Sequence, residues 1–183
     1  MLQSANTNWT IESKIVFSKI PYGSQQGGLL AYQDDDNFVK LVYSSGGRGR
    51  RGMGGFGFGA PGSQPGSMQL VIEENGYQKN VATLSMADII KENNTLFVKF
   101  EKKGILYTGY ISADGKRFTA LGTAKILLSD IKAGIIVCDG VSDTGFRGPQ
   151  AMPGRQGTQL PEPDTSDFKV SYDYFRIANS GLK

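Results

Sequence analysis

The segment Leu96–Gly122, LFVKFEKKGILYTGYISADGKRFTALG, constrains the fold of this chain more than any other. It reads as three consecutive β-strands joined by tight turns at Lys103-Gly104 and Asp114-Gly115. Asp-Gly between strand-like residues is a strong hairpin signal, because a type I′ turn needs φ > 0 at both central positions. On the first strand Leu96, Val98 and Phe100 alternate with Phe97, Lys99 and Glu101, the period of a sheet with one wet side. An antiparallel meander is therefore expected as the backbone of the protein. A meander offers a broad decorated face rather than a deep catalytic crevice.

The same pattern recurs along the chain. Trp9–Phe17 alternates. Gly28–Gln33 and Phe38–Tyr43 flank Asp34-Asp35-Asp36-Asn37, and Met68–Glu73 and Gln78–Leu84 flank Asn75-Gly76. An apolar run at Gly134–Cys138 and a last strand at Phe168–Ile177 follow the meander. Ser85–Glu92 is compatible with one or two helical turns capped by Ser85. About ten short strands at short intervals predict an all-β sandwich or barrel. Two segments break the pattern: Gly46–Ser67 is glycine-rich and Thr144–Ser166 is rich in Pro, Gly and Gln. Both lie between strands, so they are expected to be irregular loop insertions in a single domain spanning 1–183.

Composition excludes several chemistries. The chain has 183 residues, a formal net charge of +3, one cysteine and no histidine. The mild charge is not that of a dedicated duplex binder, and no apolar run approaches a membrane span, so neither nucleic acid nor membrane is an expected partner. Without histidine there is no Ser-His-Asp triad and no His-ligated zinc. Cys138, in an apolar run, reads as a small buried hydrophobe. The amino terminus has neither a basic start nor an apolar region, so no signal peptide is expected within this chain.

Several phrases occur in a telling order: Gly28-Leu29-Leu30-Ala31-Tyr32-Gln33-Asp34-Asp35-Asp36-Asn37-Phe38-Val39-Lys40-Leu41, then Ser112-Ala113-Asp114-Gly115-Lys116-Arg117-Phe118, then Lys132-Ala133-Gly134-Ile135, then Tyr172-Asp173-Tyr174-Phe175-Arg176-Ile177. Together they resemble the concanavalin A-like lectin/glucanase domain at the carboxy terminus of family 43 glycoside hydrolases, the β-xylosidases and arabinofuranosidases. The resemblance runs from about Trp9 to Ile177 outside the two insertions. It implies a two-sheet antiparallel jelly-roll β-sandwich and a non-catalytic, carbohydrate-associated module. Such a module binds glycan or packs against a glycoside hydrolase catalytic domain, in an extracellular or periplasmic setting. A protein-interaction module built on the glycine-rich loops, or a glycoside hydrolase in its own right, are the alternatives.

The residues themselves favour a non-catalytic chain. A glucanase of this fold needs strand carboxylates at i, i+2 and i+4, so that all three share one face. No strand here carries that set. Asp34 and Asp36 sit in a turn with Asp35, a cluster that reads either as a solvated turn or as a structural calcium site. Asp173, an isolated charge in an aromatic strand, is either a buried hydrogen-bonding group or a metal ligand near the amino-terminal strand. Candidate sugar-stacking rings are Tyr107, Tyr110, Tyr32 and Tyr77. Tyr107 and Tyr110 have opposite parity, and Tyr107 goes with Ile105 and Ile111, so Tyr110 is expected on the ligand face and Tyr107 in the core. Arg48, Arg50 and Arg51 with Phe56 and Phe58 resemble a very short arginine-glycine RNA-binding tract, too small for the electrostatics of such binding.

Overall fold

The computed structural model describes residues 2–4, 7–17, 25–44, 66–85, 94–139 and 169–179. They form strands β1 (Leu2–Ser4), β2 (Trp9–Phe17), β3 (Gln25–Asp34), β4 (Asn37–Ser44), β5 (Ser67–Glu74), β6 (Tyr77–Ser85), β7 (Thr95–Lys103), β8 (Leu106–Ser112), β9 (Thr119–Lys125), β10 (Lys132–Asp139) and β11 (Val170–Asn179). They pair antiparallel into a six-stranded sheet, β1-β10-β3-β4-β5-β6, and a five-stranded sheet, β11-β2-β7-β8-β9. This is the predicted two-sheet sandwich. Among the described residues no helix is long and apolar enough to cross a membrane. The helical turns expected at Ser85–Glu92 lie outside the described residues except for Ser85, which ends β6. The inserts at Gly46–Ser67 and Thr144–Ser166 and the arginine-glycine tract also lie outside, except for Gly66 and Ser67.

Alternation decides which face of each strand packs inward. On β7 every second residue from Leu96 to Lys102 is buried, and on β2 Trp9, Ile11, Ser13, Ile15 and Phe17 are buried. The inner faces of both sheets meet in one core that includes Trp9, Leu29, Leu41, Leu70, Phe100 and Tyr107. Trp9 stands edge-on to Phe100 (5.4 Å) and to Tyr107 (6.2 Å), the arrangement preferred by ring quadrupoles. At the other end Phe17 lies 5.0 Å from Tyr43. A Cβ on Gly28 would overlap the Leu41 carbonyl oxygen, so this position in β3 admits no side chain.

The turns match the sequence in part. Asn75 and Gly76 both have positive φ (53° and 76°), as a type I′ hairpin requires. In the first meander turn the central residues are Gly104 and Ile105, one residue later than Lys103-Gly104, and Gly104 supplies the positive φ of 59°. The second meander connection corrects the expected tight Asp-Gly turn. Residues 113–118 separate β8 from β9, and only Gly115 (φ 72°) is left-handed. Asp114 instead accepts the N–H groups of Lys116 (2.8 Å) and Arg117 (3.0 Å) and the Ser112 hydroxyl (2.9 Å). Its side chain closes the loop in place of a backbone ladder.

Strand register places the tight turns at 35–36, 75–76 and 104–105 together at one end of the sandwich. The ends of β2, β3, β4, β5, β6, β7, β10 and β11 that adjoin 18–24, 45–65, 86–93 and 140–168 all lie at the other. The 113–118 connection lies at that second end too, because Ser112 pairs with Phe97 near the start of β7.

Candidate functional site

The four tyrosines marked as stacking rings are dispersed by the fold. Tyr107 is fully buried between Trp9 and Phe100, so it presents no ring to a ligand. That corrects its place among the sugar-binding residues and agrees with its parity. Tyr77 is 83% exposed at the tip of the β5–β6 hairpin, opposite Glu74. Tyr32 lies on the outer face of the six-stranded sheet, opposite Phe38, and its hydroxyl donates to Asp35 (2.8 Å). Tyr110 lies on the outer face of the five-stranded sheet and is partly buried.

On the outer face of the five-stranded sheet, Tyr110 stands in a cluster of charged and aromatic side chains. A cross-strand row runs Arg176–Glu12–Lys99–Tyr110 from β11 to β8, beside a second row of Tyr174–Lys14–Phe97–Ser112. Residues directly opposite in antiparallel strands share a face, so these side chains form one surface. The Lys99 ammonium lies 4.8 Å from the centroid of the Tyr110 ring and 4.4 Å from that of Phe118, a double cation–π contact. The Tyr110 hydroxyl donates to Glu101 Oε2 (3.2 Å), while Glu101 Oε1 pairs with Lys103 (3.0 Å). Partial burial, then the Glu101 carboxylate, raises the phenol pKa of Tyr110. Arg176 lies 4.6 Å over the Tyr174 ring on the same face.

Reasoning from sequence missed Lys99, Glu101 and Phe118. The missing signal was the turn. Centring the hairpin on Lys103-Gly104 would place Phe97 opposite Tyr110, whereas the observed register places Lys99 there. Phe118 belongs to the 113–118 connection, whose shape an Asp-Gly signal misrepresents.

The marked carboxylates have other occupations. Asp34 accepts from the Asp36 N–H (3.0 Å), the Asn37 amide (2.8 Å) and the Gln33 amide (2.8 Å). These bonds, led by that from Asn37, hold its carboxyl below the usual range. Asp36 serves through its backbone, accepting from Gly76 N–H (3.0 Å) and tying two turns together. Asp173 sits at a β-bulge and pairs through Oδ2 with the Lys14 ammonium (2.7 Å). It is exposed rather than buried, which corrects that half of its expected role. Among the described residues no group of three or more His, Cys, Asp and Glu side chains is placed to hold a metal. An open recess of about 300 Å³ beside β6, walled by Leu84, Ile111 and Arg117, also takes in Ser112 and Asp114, which are hydrogen-bonded to each other (2.9 Å).

No family model and no curated protein matches this sequence. Solved structures do match it. A mutant of the GH43 protein BlXynB from Bacillus licheniformis superposes with TM-score 0.62 and 16% identity, over 95% of this chain and 28% of that one. A xylan β-1,4-xylosidase from Bacillus halodurans gives 0.61 and 13%, over 96% and 28%. A functionally unknown protein from Saccharomyces cerevisiae gives 0.63 and 14%, over 100% and 75%. The chain thus spans 28% of the length of those two GH43 chains. At these identities the likeness establishes the fold, a sandwich like the carboxy-terminal region of GH43 xylosidases, as the ordered sequence phrases predicted.

Proposed function

We propose that this chain is a non-catalytic, carbohydrate-associated β-sandwich module that holds a neutral glycan on the open face of the five-stranded sheet. The observation that carries this is the setting of Tyr110. Its ring is partly buried and therefore fixed, and Glu101, Lys99 and Arg176 supply hydrogen-bonding groups on the same face. An aromatic platform with a few convergent polar groups is what sugar stacking requires. Lys99 lies over the ring, so a stacked sugar takes its place and the ammonium swings to a ring hydroxyl.

The residues argue against catalysis in this chain. Glycoside hydrolysis needs one carboxyl kept protonated by a raised pKa beside a second carboxylate. Asp34 and Asp114 are both held below the usual range, and Glu101 uses its two oxygens on Lys103 and Tyr110. The fold likeness to GH43 xylosidases supports a setting among polysaccharide-degrading proteins, outside the cytoplasm. That this chain spans 28% of those enzymes favours a second role, packing against a glycoside hydrolase catalytic domain.

A neutral-glycan array, run beside aryl-xyloside and aryl-arabinoside hydrolysis assays, tests the proposal. Retention of a neutral oligosaccharide with no turnover above background is expected. Turnover lost on changing one carboxylate overturns the non-catalytic reading, and an array without binding leaves packing as the module's role.

A further inference from the structure

A ring that the glycan reading above does not use lies on the same face, at the far edge of the five-stranded sheet. Tyr172 and Tyr174 are two apart on β11, so a regular strand would aim both at one side. The bulge between them breaks that parity. Tyr172 pairs with Ile15, on the inner face, and Tyr174 with Lys14, on the outer. Re-aiming a side chain is a recurrent use of bulges near functional sites. This bulge is held from both sides of the sheet. From within, the buried Ser13 hydroxyl donates to the Tyr174 carbonyl (2.6 Å). From without, the bulged residue, Asp173, accepts from the Lys14 ammonium (2.7 Å).

The half-buried Tyr174 repeats the setting of Tyr110. Arg176 lies over its ring at 4.6 Å, as Lys99 lies over that of Tyr110 at 4.8 Å. Solvent reaches this end of the face: Arg176 is exposed, and the Lys14 and Asp173 side chains are 31% and 58% exposed. Three strand spacings and two residues separate the tyrosines, which puts their backbones about 16 Å apart. Glu12 and Lys99 stand between them. The 113–118 connection borders the path, since a Cβ on Gly115 would come within 2.8 Å of the Phe97 ring. We infer that Tyr174 is a second stacking platform, and that the ligand is a linear neutral oligosaccharide laid across the strands from Tyr174 to Tyr110. A disaccharide is too short to rest on both rings. Once one ring is engaged, contact with the other is intramolecular, so affinity rises with chain length without any new kind of group on the sugar.

This inference rests on the Tyr110 reading, and the test separates the two. Xylobiose, xylohexaose, cellobiose and cellohexaose are titrated calorimetrically into the full chain and its variants, with thermal unfolding of each. In at least one series the wild-type chain should bind the hexasaccharide at least tenfold more tightly than the disaccharide. Tyr174→Ala should lose that gain and keep the disaccharide affinity. Tyr174→Leu, which keeps apolar bulk without a ring, should do the same, and Tyr174→Phe should bind as the wild type does. Tyr110→Ala should lose both lengths. Undiminished hexasaccharide binding by a folded Tyr174→Ala or Tyr174→Leu chain overturns the second platform and leaves Tyr110 standing. Equal affinity for the two lengths in the wild type overturns it too, as does the absence of hexasaccharide binding. Equal loss of both lengths in Tyr174→Ala and Tyr174→Leu would make the ring a support of the Tyr110 site and overturn the spanning chain. Unchanged binding by Tyr110→Ala overturns the first reading instead.

Discussion

Tyr107 and Asp114 show how a single side chain can follow or defy its sequence signal. Parity with Ile111 placed Tyr107 in the core, and it is fully buried there. Its hydroxyl is nevertheless the buried side-chain polar atom without a partner among the described residues, and burial drives its phenol pKa well up. An unmet buried hydroxyl costs more than the hydrogen bond it lacks, so Tyr107→Phe should be neutral or stabilise by about 1 kcal/mol. Urea denaturation measures this, and a loss of stability would mean the hydroxyl is satisfied in solution. Asp114 signalled a type I′ turn but acts as an acceptor for a wider loop, a role that depends on Ser112, Lys116 and Arg117 together. The N–H groups of Arg117 and Lys116, then the Ser112 hydroxyl, lower its carboxyl pKa from 3.8 to about 2. A folded pKa below the unfolded one stabilises fully above 3.8, and that contribution is lost as pH falls toward 2. Asp114→Asn should therefore flatten the acid limb of stability in that window; an unchanged limb would mean that loop closure does not depend on the charge.

At the scale of elements, the hairpins were legible and their long-range partners were not. β3–β4, β5–β6 and β7–β8 are set by local turns and by alternation, both present in a few residues of sequence. β1 was not foreseen, because Leu2–Ser4 is a strand only by pairing with β10 more than a hundred residues away. Both faces of β3 and β4 are buried over much of their length, a pattern that strict alternation does not announce. The link between sheets at β11 is also non-local. The Tyr172 hydroxyl accepts from Gly28 N–H (3.0 Å), and its proton is shared between the carbonyls of Ile136 (2.8 Å) and Gly28 (3.0 Å). One edge strand of the five-stranded sheet thus bonds to the β3–β10 backbone of the other. Tyr172→Phe removes that bond and leaves buried backbone groups unmet, at a cost of about 1–3 kcal/mol. Hydrogen exchange should show the loss at Gly28 and along β11; protection unchanged at both would show that the hydroxyl links nothing.

For the whole molecule, the fold class was readable because strand periodicity and the ordered phrases agree, and each is satisfied by one core between two sheets. The site was readable only to the level of parity. Tyr110 was placed on an open face, but Lys99, Glu101 and Phe118 are brought to it by register and by a loop. The central claim is that this face holds a neutral glycan by stacking on Tyr110, without chemistry. The most direct measurement is calorimetric titration of a neutral oligosaccharide retained on the array into the wild-type chain and Tyr110→Ala, with thermal unfolding of both. The account predicts that Tyr110→Ala abolishes measurable binding while the melting temperature stays within a few degrees, since the ring lies outside the core. Equal binding by the two folded proteins would contradict it.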